Sequence, residues 1–227
     1  DITRMRFALP FLLALIIPVL AGQAKASESL TPAYPDSGVL QFSLLRNGSP
    51  LGNYDLRFET RDGSLHVVTR VDVDYRLAFI TLYRFEQNRN ELWRDGNLVS
   101  LETQTNDDGD RFALTAWATP DGLQVNGREF DGLAPTDIMP TGFWDIRTVE
   151  RTQLLNSEDG VLLEIAVTRI GVETVSALGQ PVRASHYRID GDTEKDVWYD
   201  ESGIWVALRM TASDGSTIEY RLLPPAE

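Results

Sequence analysis

Cysteine is absent from this 227-residue chain, so no disulfide, thiolate metal site, cysteine nucleophile or lipid-bearing cysteine enters the account. Histidine is scarce. His66 and His186 are too few for a three-histidine zinc site, and no His-Glu-x-x-His spacing occurs. Lysine is confined to Lys25 and Lys195, and all other cations are arginine. Basic side chains number 21 against 34 acidic ones, a net charge of -13, which excludes the basic stripe that nucleic-acid phosphates require. There is no Gly-x-Ser-x-Gly nucleophile turn and no glycine-rich phosphate cradle. These absences leave no catalytic residue, metal ligand or cofactor to name.

One apolar run is long enough to matter. Phe7 to Gly22 carries no charge, follows Arg6, and ends near the small-x-small triplet Ala24-Lys25-Ala26. This is the pattern of a cleaved leader, with residues 1–4 upstream of a start at Met5 and cleavage after Ala26. Pro10 and Pro18 interrupt the run, and 16 residues fall short of the ~20 of a spanning helix. The expected location is therefore periplasmic or secreted, with no stable membrane anchor after cleavage. Losing Arg4, Arg6, Lys25 and Asp1 would leave the remainder more acidic still.

Residues 27–38, with Pro32 and Pro35, read as an extended lead-in to a single domain over 39–227. Within it, apolar residues alternate with polar ones, as strands require. Leu40, Phe42 and Leu44 share a face, as do Tyr54, Leu56 and Phe58, and so do Ile204, Val206, Leu208 and Met210. Asn47-Gly48, Asp62-Gly63, Asp95-Gly96 and Asp108-Gly109 supply the positive φ of tight hairpins. The fold class is all-β with one short helix at most. Ten to twelve strands form an antiparallel meander, curved into a barrel-like or half-barrel domain. Residues 134–156 break the habit: Pro135 and Pro140 argue against strand, and Phe143 to Leu155 is expected to carry the short helix. An echo joins Glu91-Leu92-Trp93-Arg94-Asp95-Gly96 to Asp196-Val197-Trp198-Tyr199-Asp200, and either a duplicated half-sheet or two ordinary hairpins would produce it.

The segment Asn90 to Thr103, with Ala184-Ser185-His186-Tyr187-Arg188, Asp196 to Asp200 and Asp214 to Tyr220, resembles a family of exported proteobacterial proteins of unknown function. That resemblance implies no activity. In outline such meanders are also similar to the curved sheets of periplasmic carriers such as LolA, a likeness of architecture alone.

Aromatic residues give the better functional lead. Trp93, Trp117, Trp144, Trp198, Trp205, Tyr187 and His186 are the candidate ligand-binding set, with ordinary core packing as the competing explanation. Trp117 and Trp205 fall opposite their strands' aliphatic faces, which would leave the sheet apolar on both sides. Asp190, Asp192, Glu194 and Asp196 alternate as hard oxygen donors would for calcium, but Gly191 comes too early for a calcium loop. Three readings stay open. The first is a noncatalytic binding or carrier-like module holding a lipid or other apolar small molecule in the sheet's concavity. The second is a structural module docking an envelope protein, and the third a hydrolase using His186 with nearby carboxylates. The oligomeric state is left open.

Overall fold

Hairpin turns set the architecture, and the computed structural model describes residues 30–225. The leader expected over residues 1–26 lies outside the described residues. In chain order the strands are β1 (Val39–Arg46), β2 (Ser49–Arg61), β3 (Ser64–Leu77), β4 (Ile80–Arg94) and β5 (Asn97–Asp107). They continue as β6 (Asp110–Thr119), β7 (Gly122–Asn126), β8 (Asp131–Ala134), β9 (Met139–Pro140) and β10 (Gln153–Leu155). The last are β11 (Leu162–Ala177), β12 (Gln180–Gly191), β13 (Lys195–Asp200), β14 (Trp205–Thr211) and β15 (Thr217–Leu222). Asn47, Asp62, Asp95 and Asp108 take φ near +50°, each followed by a glycine of positive φ. This is the twist-matched turn that a two-residue hairpin loop needs.

All fifteen strands of the described residues join one sheet in the order β8-β7-β6-β5-β4-β3-β2-β1-β15-β14-β13-β12-β11-β10-β9. The order is linear, so the sheet is barrel-like without closing. Its two end strands, β8 and β9, are joined by residues 135–138 alone. One rim carries the turns after β1, β3, β5 and β14. The opposite rim carries those after β2, β4, β6, β11 and β13, together with the lead-in, where Tyr34 stacks on Phe58 at 4.7 Å.

The expected helix is shorter than its sequence suggests. Only Ile146–Glu150 coils, as a 3-10 turn, with the Asp145 carboxylate accepting from the Arg147 N–H at 2.9 Å. Phe143 at φ +53° and the extended Arg151 bracket it and stop propagation. Pro140, read as a strand breaker, instead ends the two-residue β9, which runs parallel to β10 as an end strand where no further ladder needs its missing N–H. Trp205 also departs from simple alternation. The register shifts between Trp198 and Tyr199, so Trp205 pairs with Tyr199 and turns inward against Phe42 at 4.2 Å.

The concavity is filled toward one rim. Residues 141–157 dive inside it, placing Phe143, Trp144 and Ile146 in the core. Trp144 meets Trp93 edge-on at 5.6 Å and Phe58 at 5.3 Å, and the Tyr199 hydroxyl donates to the Phe143 carbonyl at 2.8 Å. A buried ion pair ties the insert to β4. Arg89 Nε lies 2.8 Å from Glu91 Oε1, with side chains 1% and 0% exposed. Glu91 Oε2 accepts from the indole N–H groups of Trp93 at 2.8 Å and Trp144 at 3.1 Å. Arg89 donates to Ser157 Oγ at 2.7 Å, Tyr54 Oη at 2.9 Å and Thr69 Oγ1 at 3.2 Å. Both ends of the insert thus hang from one pair of charges. Gly142 passes over it so closely that a Cβ would sit 2.9 Å from Arg89 Nη2 and 3.3 Å from Trp144 Cδ1.

Glu91→Gln would strand the Arg89 charge, and urea denaturation is expected to show a loss of about 3–5 kcal/mol. Gly142→Ala is expected to cost about 1–3 kcal/mol by the same measurement, through overpacking against the guanidinium.

Candidate functional site

With the insert packed toward the rim of the β2 and β4 turns, the barrel-like sheet keeps a recess at the rim of the β1, β3 and β14 turns. This cup has a volume of about 550 Å³, within the usual range of small-molecule sites. Alternation builds its wall. β1 contributes Leu44, β3 Val71 and Val73, β4 Phe85, β14 Met210, and β15 Ile218 and Tyr220. On β4 the inward residues run Tyr83, Phe85, Gln87, Arg89 and Glu91, so the strand passes from the cup wall to the buried ion pair beneath it. Burial pushes the Tyr220 hydroxyl well above its ordinary pKa, and burial with Asp107 beside it does the same to Tyr83.

Three charged groups, Arg46, Asp214 and Glu158, mark the entrance. Arg46 pairs with Asp214 across the rim, and its guanidinium lies 4.1 Å from the Tyr75 ring centroid. Glu158 enters from the loop after β10. Burial, helped by Asp159 and Asp107, raises the Glu158 carboxyl above its usual pKa. A second recess of about 430 Å³ opens at the other rim, but lead-in and tail residues (Pro35, Ser37 and Leu223 to Pro225) form much of its wall.

The aromatic residues singled out in the sequence sit elsewhere. Trp93, Trp144 and Trp205 are core residues around the insert. Tyr187 is half-buried, edge-on to Tyr199 at 6.1 Å. Trp117 lies 46% exposed, paired with Ser100 on the outer surface. None of them lines the cup. His186 and Trp198 stack at 4.4 Å on the sheet face opposite Val197 and Leu208, with Arg209 5.4 Å from the indole. There His186 Nε2 is 2.8 Å from Asp196 Oδ1 while Nδ1 faces Glu173. Arg188 binds Asp190 at 3.0 Å, Asp196 at 3.0 Å and Glu194 at 3.2 Å. His186 Nε2 and the four acids Glu173, Asp190, Glu194 and Asp196 therefore already have polar neighbours within this cluster. Among the described residues no group of three or more His, Asp or Glu side chains is placed to hold a metal ion.

The cup was missed because its residues come from different strands and each reads as ordinary core. A usable signal existed on β4, where Gln87, Arg89 and Glu91 keep the inward phase set by Phe85 and mark a polar floor under an apolar recess.

Comparison with known proteins agrees with the fold. A family model described as "Domain of unknown function (DUF6134)" matches residues 42–223. The chain is similar to a solved beta-barrel-like protein of domain of unknown function DUF1849 from Brucella abortus. The TM-score is 0.57 at 11% identity, over 82% of this chain and 94% of that one. At this identity the likeness concerns the fold. No curated protein matches the sequence.

Because its folded form holds the Glu158 proton more tightly than the unfolded chain does, stability falls as pH rises from the ordinary carboxylate range through the raised pKa. Glu158→Gln is expected to melt higher than the wild type at neutral pH. The difference should shrink toward zero below the ordinary carboxylate range, as thermal melts across pH would show.

Proposed function

Since the chain belongs to the DUF6134 family, whose description names no activity, we propose a function from geometry: a noncatalytic binding module that seats a lipid-like or other apolar ligand in the cup. The leader pattern supports a periplasmic setting for it. The carrying observation is the cup itself, about 550 Å³ walled by Leu44, Val71, Val73, Phe85, Met210 and Ile218. Burying one methylene yields about 0.8 kcal/mol, so a ten-carbon tail gains about 8 kcal/mol before the entropy of binding is subtracted. Tyrosine hydroxyls and Glu158 at the mouth supply the few polar groups that orient a ligand in such a site.

A second reading, docking of an envelope protein, draws on β11. β10 pairs only with Leu162, Leu163 and Glu164, so most of this long strand presents an edge without a strand partner among the described residues, carrying exposed Ile170 and Val172. Such an edge can accept an added strand.

Titration with cis-parinaric acid, a fluorescent fatty acid, tests the first reading. Met210→Asp places a carboxylate in the apolar wall and is expected to weaken binding by about tenfold or more, equal to about 1.4 kcal/mol. Ile170→Asp on β11 should leave it unchanged. No saturable binding by the wild type, or equal affinity for Met210→Asp, would sink the cup as a ligand site.

A further inference from the structure

The ribbon formed by β3 and β4 outruns its neighbours. β2 pairs with β3 only as far as Val73, and β5 pairs with β4 only from Phe85 onward. Past those points, apart from the Asp108 N–H that donates to the Arg84 carbonyl at 2.8 Å, β3 and β4 pair with each other alone, from Asp74–Arg84 through Tyr75–Tyr83 and Arg76–Thr81 to Leu77–Ile80. Four such pairs make a projection of roughly 13 Å. At its end Phe79 is fully exposed, Ile80 66% exposed and Leu82 47% exposed.

The turn is also chemically unlike the others. Asn-Gly or Asp-Gly closes the hairpins at 47–48, 62–63, 95–96 and 108–109, whereas Ala78-Phe79 closes this one, with Ala78 at φ +54°. Alanine in that conformation and phenylalanine in open solvent both disfavour the isolated protein. Residues 77–83 carry no charge in a chain of net charge -13, and Arg76 and Arg84 stand directly behind them. Those two arginines are half exposed or more and share the single counter-ion Asp74.

We infer that this ribbon is a membrane-contacting element, its tip entering a phospholipid bilayer with Phe79, Ile80 and Leu82 among the acyl chains and Arg76 and Arg84 at the phosphate headgroups. Back from the uncharged tip the ribbon carries Arg76 opposite Thr81, then Tyr75 opposite Tyr83, then Arg84 opposite Asp74, so long-stemmed cations and tyrosines together ring the apolar end as they do at a membrane interface. Charge complementarity selects a phosphate surface over an apolar protein groove, which would need no cations behind the tip. The element stands apart from the cup reading and does not require it. The two are adjacent, since Tyr75 and Tyr83 belong to both.

A tryptophan reporter at the tip decides the matter. Phe79→Trp in the full chain is mixed with vesicles of equal parts phosphatidylcholine and phosphatidylglycerol, with and without brominated acyl chains. The readout is local to residue 79, so binding through the apolar run at residues 7–22 does not imitate it. The expected result is a blue-shifted emission quenched by the brominated lipid, over the wild-type background, and lost in Phe79→Trp combined with Arg76→Glu and Arg84→Glu. A reporter that stays open to aqueous iodide and is not quenched by brominated lipid would overturn the inference. So would a blue shift that grows with protein concentration without vesicles, which would assign the tip to a second copy of the chain. Parinaric acid binding, measured without vesicles, reports on the cup separately.

Discussion

The Arg89–Glu91 ion pair is the constraint around which the interior is arranged. A barrel-like sheet with a dry, wholly apolar centre would have no reason to hold residues 141–157 in one place. Here the carboxylate gathers two indole N–H groups and the guanidinium gathers Ser157, Tyr54 and Thr69. Each charge can stay buried only while those partners remain, so the position of the insert follows from electrostatics rather than from its own propensity. The insert in turn divides the concavity, leaving packed core toward one rim and the cup toward the other. The place and depth of the cup are therefore decided by two residues that do not line it.

Local chemistry made much of this legible in the sequence. Asn-Gly and Asp-Gly pairs announce their turns, and Leu40, Phe42, Leu44 and the faces of β2 and β3 fall where alternation puts them. An uncharacterised family and an all-β barrel-like fold were within reach for the same reason. The insert was not, because Trp144 and Phe143 are placed by contacts far away in sequence, with Trp93, Phe58 and Tyr199. Trp205 misled through a register shift, which no alternation pattern reveals. Arg89 and Glu91 were hidden by their own polarity, since charged residues in a strand are ordinarily assigned to solvent.

The echo between Glu91-x-Trp93 and Asp196-x-Trp198 resolves differently at the two sites. Both precede a turn at the same rim, yet Glu91 and Trp93 point inward at the insert while Asp196 and Trp198 face outward beside His186 and Arg188. Trp93 gives its N–H to its acid, whereas the Trp198 N–H has no partner among the described residues. Similar spelling has produced opposite facing, as two independent hairpins would.

The linear strand order carries a consequence for how the chain acquires its shape. Among the described residues β1, the first strand, lies between β2 and β15, the last. The middle of the sheet is therefore a seam between strands far apart in sequence, while its two outer limits are joined through residues 135–138. Loop closure over nearly the whole length must precede that seam, which implies slow maturation and a period in which β1 is bare along one side. A chain drawn through a pore from its amino end would finish this step only after its final strand had emerged.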